Sequence, residues 1–74
     1  PEQPVDLILA NILSGTLIKL EPLLAGLARP AAELLLSGIL EEQAEGVLAA
    51  YRPDFEMRLA ASREGWVLLQ GRRR

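Results

Sequence analysis

Residues 5–12 read V-D-L-I-L-A-N-I, and Leu13-Ser14-Gly15 follow at once. Aliphatic and β-branched side chains hold nearly every position. A strand with one wet face alternates apolar and polar residues. A strand covered on both faces does not, and such a run points to a parallel sheet. Ser14-Gly15 breaks the run. Asn11, a bare amide, stands where it stops. The residues alone leave it two roles. It ends the strand and bonds its own turn, or it serves a ligand at the strand's carboxyl end.

Outward from this strand, the period changes. Leu17, Leu20, Leu24 and Leu27 recur at i, i+3, i+7 and i+10 over residues 16–28, the stripe of an amphipathic helix. Ser14 is its expected N-cap. Pro22 lacks an N–H and is expected to kink or split the helix near Glu21. Pro30 then stops it. Residues 33–39 form the second buried strand, carrying Leu34, Leu35, Leu36 and Ile39 around Ser37-Gly38. Residues 41–51 form the second helix, with Leu40, Ala44, Val47, Leu48 and Tyr51 on its apolar face. Glu41 and Glu42 in its first turn complement the helix dipole rather than act as general bases. Pro53 ends it.

From residue 55 the pattern alternates: Phe55, Met57, Leu59 and Ala61 against Glu56, Arg58 and Ala60. That is a half-exposed edge strand. Residues 62–65 read as a turn and residues 66–70 as a final apolar strand, with Trp66 expected in the core rather than as a substrate platform. So short a loop implies an antiparallel hairpin. The fold class is α/β in the order β-α-β-α-β-β. Two parallel strands bracket a right-handed crossover helix, and the closing hairpin adds one antiparallel strand.

Composition bounds the chemistry. The chain has 74 residues and a net charge of −2, with no histidine and no cysteine. A disulfide, a thiolate metal site and the usual neutral-pH base are excluded. The cysteine-free composition suits a reducing compartment. No apolar run approaches the ~20 residues of a membrane span. Glu2 and Asp6 stand where a signal peptide would be basic. Mild acidity argues against direct nucleic-acid binding, and Arg72-Arg73-Arg74 is expected to be a frayed, solvated tail.

Three pieces, Ala10-Asn11-Ile12-Leu13, Ser37-Gly38-Ile39-Leu40 and Glu64-Gly65-Trp66-Val67, occur in this order and spacing. With the runs around them, from Val5 to Arg73, they resemble the C-terminal half of the bacterial methyltransferases that modify the ribosomal stalk-base protein L-eleven. The resemblance implies a partial Rossmann-like class I methyltransferase fold, these strands being the fourth to seventh of a seven-stranded sheet. It implies S-adenosyl-L-methionine as cofactor, a ribosomal protein as substrate and a cytoplasmic location. The family's Gly-rich cofactor-binding start has no counterpart: the chain contains no G-x-G. Residues 1–74 are therefore expected to be the C-terminal half of such a domain, inactive alone. Where the family has a Pro-Gly-Gly turn, this chain has Pro30-Ala31-Ala32, a turn expected to differ in shape or carry strain.

The resemblance also assigns residues. Asn11 is expected to contact the cofactor or the incoming amine, since a neutral amide oxygen orients an amine without charging it. Leu13, Ser37 and Gly38 are expected on the substrate side, although Ser37-Gly38 reads equally as a plain strand-to-helix turn. The first strand has no Lys or Pro guard between Val5 and Ile12. With its neighbour missing, its edge is expected to recruit a second copy. Two other readings remain: a stand-alone α/β interaction module, and a class I methyltransferase with another substrate.

Overall fold

Alternating periods along the chain become alternating elements in the computed structural model, which describes residues 4–74; Glu2 lies outside them. The order is β1 (Val5–Asn11), α1 (Ser14–Leu27), β2 (Ala28–Leu40), a 3₁₀ turn (Glu41–Gln43), α2 (Ala44–Tyr51), β3 (Phe55–Arg63) and β4 (Trp66–Arg73). The four strands form one sheet in the order β1-β2-β4-β3. β1 and β2 are parallel, with α1 crossing between them. β4 lies antiparallel between β2 and β3. The expected β-α-β-α-β-β order, the parallel pair and the edge position of β3 all hold.

Both helices pack on one face of the sheet. Leu17 of α1 and Val47 and Tyr51 of α2 are fully buried against Leu34, Leu36 and Leu69. Each such side chain contributes roughly 1.5–3 kcal/mol of transfer free energy. Tyr51 also donates its hydroxyl to Leu17 O at 2.6 Å, tying the two helices together. The other face is uncovered: Leu9 is 68% and Leu7 52% exposed. The doubly covered environment expected for β1 is therefore met on one side only among the described residues. β1 is an outer strand of the sheet.

Helix α1 departs from expectation in three ways. Ser14 is its first helical residue, and Leu13, with no side-chain oxygen to offer, holds the cap position without a side-chain bond. Pro22 lies inside the helix, which runs through it. The missing N–H would have met the carbonyl of Ile18; both residues are exposed, so water can donate to that carbonyl instead. The buried stripe is Leu17, Glu21 and Ala25, spaced by four, while Leu20, Leu24 and Leu27 are only half-buried.

The substituted turn is strained as anticipated. Ala31 takes φ 70°, the left-handed region, at a cost of roughly 1–2 kcal/mol for a side chain. The chain does not leave the sheet there. Val5 pairs with Ala28 and Leu7 with Glu33, so residues 29–32 bulge opposite Asp6. Arg29 Nε reaches Asp6 Oδ1 across the bulge at 3.2 Å.

At the other end the hairpin turn is shorter than the expected four residues. Glu64 (φ 52°) and Gly65 (φ 84°) alone connect β3 to β4. Two positive φ angles are what a type I′ hairpin turn requires. Trp66 is not in the core; it is 52% exposed at the hairpin tip. The arginine end is not frayed either. Arg72 and Arg73 lie in β4. Arg73 Nε donates to Ala25 O at 2.9 Å and its Nη1 to Asp54 O at 3.2 Å. Its guanidinium sits 5.8 Å from the Phe55 ring centre. Arg74 Nε donates to Arg52 O at 2.9 Å. Strand register carried this segment into the sheet, where its arginines found backbone carbonyls.

Candidate functional site

Parallel strands place their carboxyl ends together, and here those ends carry Asn11 and Ser37, which face each other as the last β1–β2 pair. Ser37 Oγ lies 3.5 Å from Ala10 O, a weak bond across the same two strands. Just beyond, the β2–β4 register slips between Leu36 and Ile39. Ser37 and Gly38 form that irregularity, and Gly38 has φ +75°. A Cβ at Gly38 would collide with Asn11 Oδ1. Glycine suits this position for its backbone angle, and a Cβ there would also push the exposed Asn11 side chain aside.

Asn11 is exposed. With Ile12, Leu13, Thr16, Gly38 and Trp66 it lines an open depression of about 720 Å³. Leu13 is 78% exposed on its rim. The depression therefore combines one amide, one hydroxyl, apolar walls and an indole. Such a mix can orient a polar group on the end of an aliphatic stem. Among the described residues no charged side chain lines it.

The titratable cluster lies elsewhere. Arg73 and Phe55 form the pair at the far end of β4, so Asp54 and Arg73 sit at the opposite end of the sheet from Ser37. Glu21 is only 7% exposed, and its Oε2 has no hydrogen-bond partner among the described residues. Its pKa is pushed up to about 7, by burial first, then by a hydrogen bond and the negative charge of Asp54, with Arg73 pulling the other way. Tyr51 is pushed up to about 12, by burial and then by the Glu21 charge. Among the described residues no cluster of three or more acidic side chains could hold a metal ion.

The family model for ribosomal protein L11 methyltransferase (PrmA) matches residues 1–74. The chain belongs to the ribosomal protein L11 methyltransferase family. Relatives bearing that name are 53% identical in Pseudomonas aeruginosa and 49% identical in Teredinibacter turnerae, each over 74 residues. The chain spans 25% of the length of these relatives. A crystal structure of a ribosomal protein L11 methylase from Lactobacillus delbrueckii subsp. bulgaricus superposes with a TM-score of 0.88 at 28% identity, covering 99% of this chain and 38% of that one.

Within this family's fold, the structure brings together Asn11, Leu13 and Gly38, with Ser37 immediately behind them on the open face of the sheet. Thr16 and Trp66 join them without having been singled out as site residues. Thr16 was legible as a polar residue in the first helical turn after Asn11. Trp66 was not, because its apolar neighbours Val67, Leu68 and Leu69 disguised a strand start as core. Glu21 gave no signal at all, since a single glutamate in a helix reads as surface.

Proposed function

We propose that this chain supplies the substrate-facing, C-terminal half of a class I methyltransferase domain that moves methyl groups from S-adenosyl-L-methionine to amino groups of ribosomal protein L11. Membership of the family supports the reaction class and the protein substrate. One structural observation carries the assignment to residues. The exposed Asn11 amide stands at the carboxyl end of β1, on space that Gly38 leaves free. Ligands of open parallel sheets bind at such ends.

The donor, when bound, supplies an electrophilic methyl on a sulfonium. The residues here fit one flank of it: Asn11 and Thr16 offer polar groups, Ile12 and Leu13 apolar walls. They do not form a nucleotide cradle, since no G-x-G is present, and in this reading the rest of the enzyme provides it. Asn11 Oδ1 accepts a hydrogen bond from the substrate amine's N–H and so turns its lone pair toward the methyl. Leu13 and Trp66 hold the amine's aliphatic stem and exclude water, with Ser37 and Gly38 as the backbone rim. A neutral amine needs no strong base once aligned, and alignment is where such a site gains most of its rate. Glu21 belongs to the far end of the sheet and takes no part.

In the same reading the partner is a protein and not nucleic acid, consistent with the net charge of −2. The location is the cytoplasm, where ribosomes are the substrate source. No helix among the described residues is long and apolar enough to cross a membrane. The open edge of β1 and the exposed Leu7 and Leu9 support self-association of the isolated chain. The test is transfer of labelled methyl from S-adenosyl-L-methionine to purified L11 by the intact protein. Label on L11 amines supports the proposal. Label on another acceptor, with none on L11, replaces the substrate.

A further inference from the structure

Trp66 begins β4 at the tip of the hairpin, opposite Arg63 on one side and Leu40 on the other. Half-exposed indoles on two-residue turns are poorly fixed by packing, and hairpin tips lie at the low-stability end of a fold. Yet this tip is held. Glu41 donates its backbone N–H to Gly65 O at 2.8 Å. The Glu41 carboxylate accepts from Ser62 Oγ at 3.0 Å. One residue, immediately after β2, thus binds the turn from its front and the end of β3 from its side. The Gln43 side chain accepts the Leu40 N–H at 3.0 Å and fixes the path of the chain into Glu41.

We propose that Glu41 and Ser62 are positioning residues: they latch the hairpin tip to the end of β2 and so hold Trp66 on the rim of the Asn11 depression, where it meets the protein substrate. The proposal rests on the methyl-transfer reading of that depression. It also assigns Glu41 a role beyond complementing the helix dipole, and two variants separate these roles. Glu41→Gln removes the charge but keeps an oxygen that Ser62 can reach. Glu41→Asp keeps the charge but is one methylene short.

The experiment uses the intact protein, labelled with 5-fluorotryptophan, with the Trp66 resonance identified by its loss in Trp66→Phe. In Glu41→Asp and Ser62→Ala the Trp66 fluorine line shifts or broadens, and KM for L11 rises about fivefold, the size set by one hydrogen bond. The affinity for S-adenosyl-L-methionine is unchanged. Glu41→Gln matches wild type in both readouts. An unmoved Trp66 resonance in Glu41→Asp and Ser62→Ala overturns the latch. So does a result in which Asp rescues and Gln does not, which returns Glu41 to the dipole. A moved resonance with wild-type KM overturns the positioning role. Wild-type KM in Trp66→Ala overturns instead the reading of the depression on which the proposal rests.

Discussion

Replacing Glu21 by glutamine should make the end of the sheet that holds Asp54 and Arg73 indifferent to pH. In the folded chain this carboxyl titrates at about 7, against an ordinary value of 4.5. Its folded-state pKa is raised, so the folded state holds a proton that the unfolded state releases. The resulting stability is fully present below pH 4.5 and is lost as pH rises through 7. At about 1.4 kcal/mol per pH unit, that span is worth on the order of 3 kcal/mol. Glu21 is 7% exposed and its Oε2 lacks a partner among the described residues, so solvent screening removes little of it. Glutamine keeps the shape and the donor toward Asp54 and cannot ionise. Amide exchange of α1 and β4 in the intact protein, corrected for intrinsic rates, measures the effect. Protection in wild type should fall between pH 4.5 and 7, and protection in Glu21→Gln should stay level. Parallel pH profiles for the two proteins would refute the reasoning.

Three other outcomes follow from named contacts. Ala31→Gly relieves the left-handed alanine at φ 70° and should raise stability by about 1 kcal/mol, read as a higher urea midpoint. Gly38→Ala drives a Cβ into the Asn11 amide at a positive φ; it should cost about 1–3 kcal/mol and abolish methyl transfer, with circular dichroism showing the fold retained. The isolated 74-residue chain should sediment as a dimer or larger at micromolar concentration, and Asp6→Pro should reduce that association if the Asp6 N–H faces the open edge.

What the sequence made legible was whatever depends on periodicity. The unbroken run of residues 5–12, the stripe in residues 16–28 and the alternation from Phe55 each reported the type of surface the segment packs against. That was enough for element order and for the parallel pair. It failed where a single contact outweighs the pattern. Pro22 is tolerated because its lost bond faces water. Arg73 is ordered because β4 delivers it to the carbonyls of Ala25 and Asp54. Trp66 is exposed because the turn closes one residue before it. Asn11 was legible as a candidate because an amide at the end of an aliphatic strand has no packing purpose. Its relation to Gly38 was not, since that depends on a register slip in β2 which no local pattern encodes.

The most direct test of the account is Asn11→Ala in the intact protein. The side chain is exposed at a strand end, so its truncation removes an orienting group and little packing. Turnover of L11 methylation should fall about 10²-fold, with the circular dichroism spectrum and thermal midpoint unchanged. Wild-type turnover in that variant would contradict the account and leave Asn11 as the end of a strand.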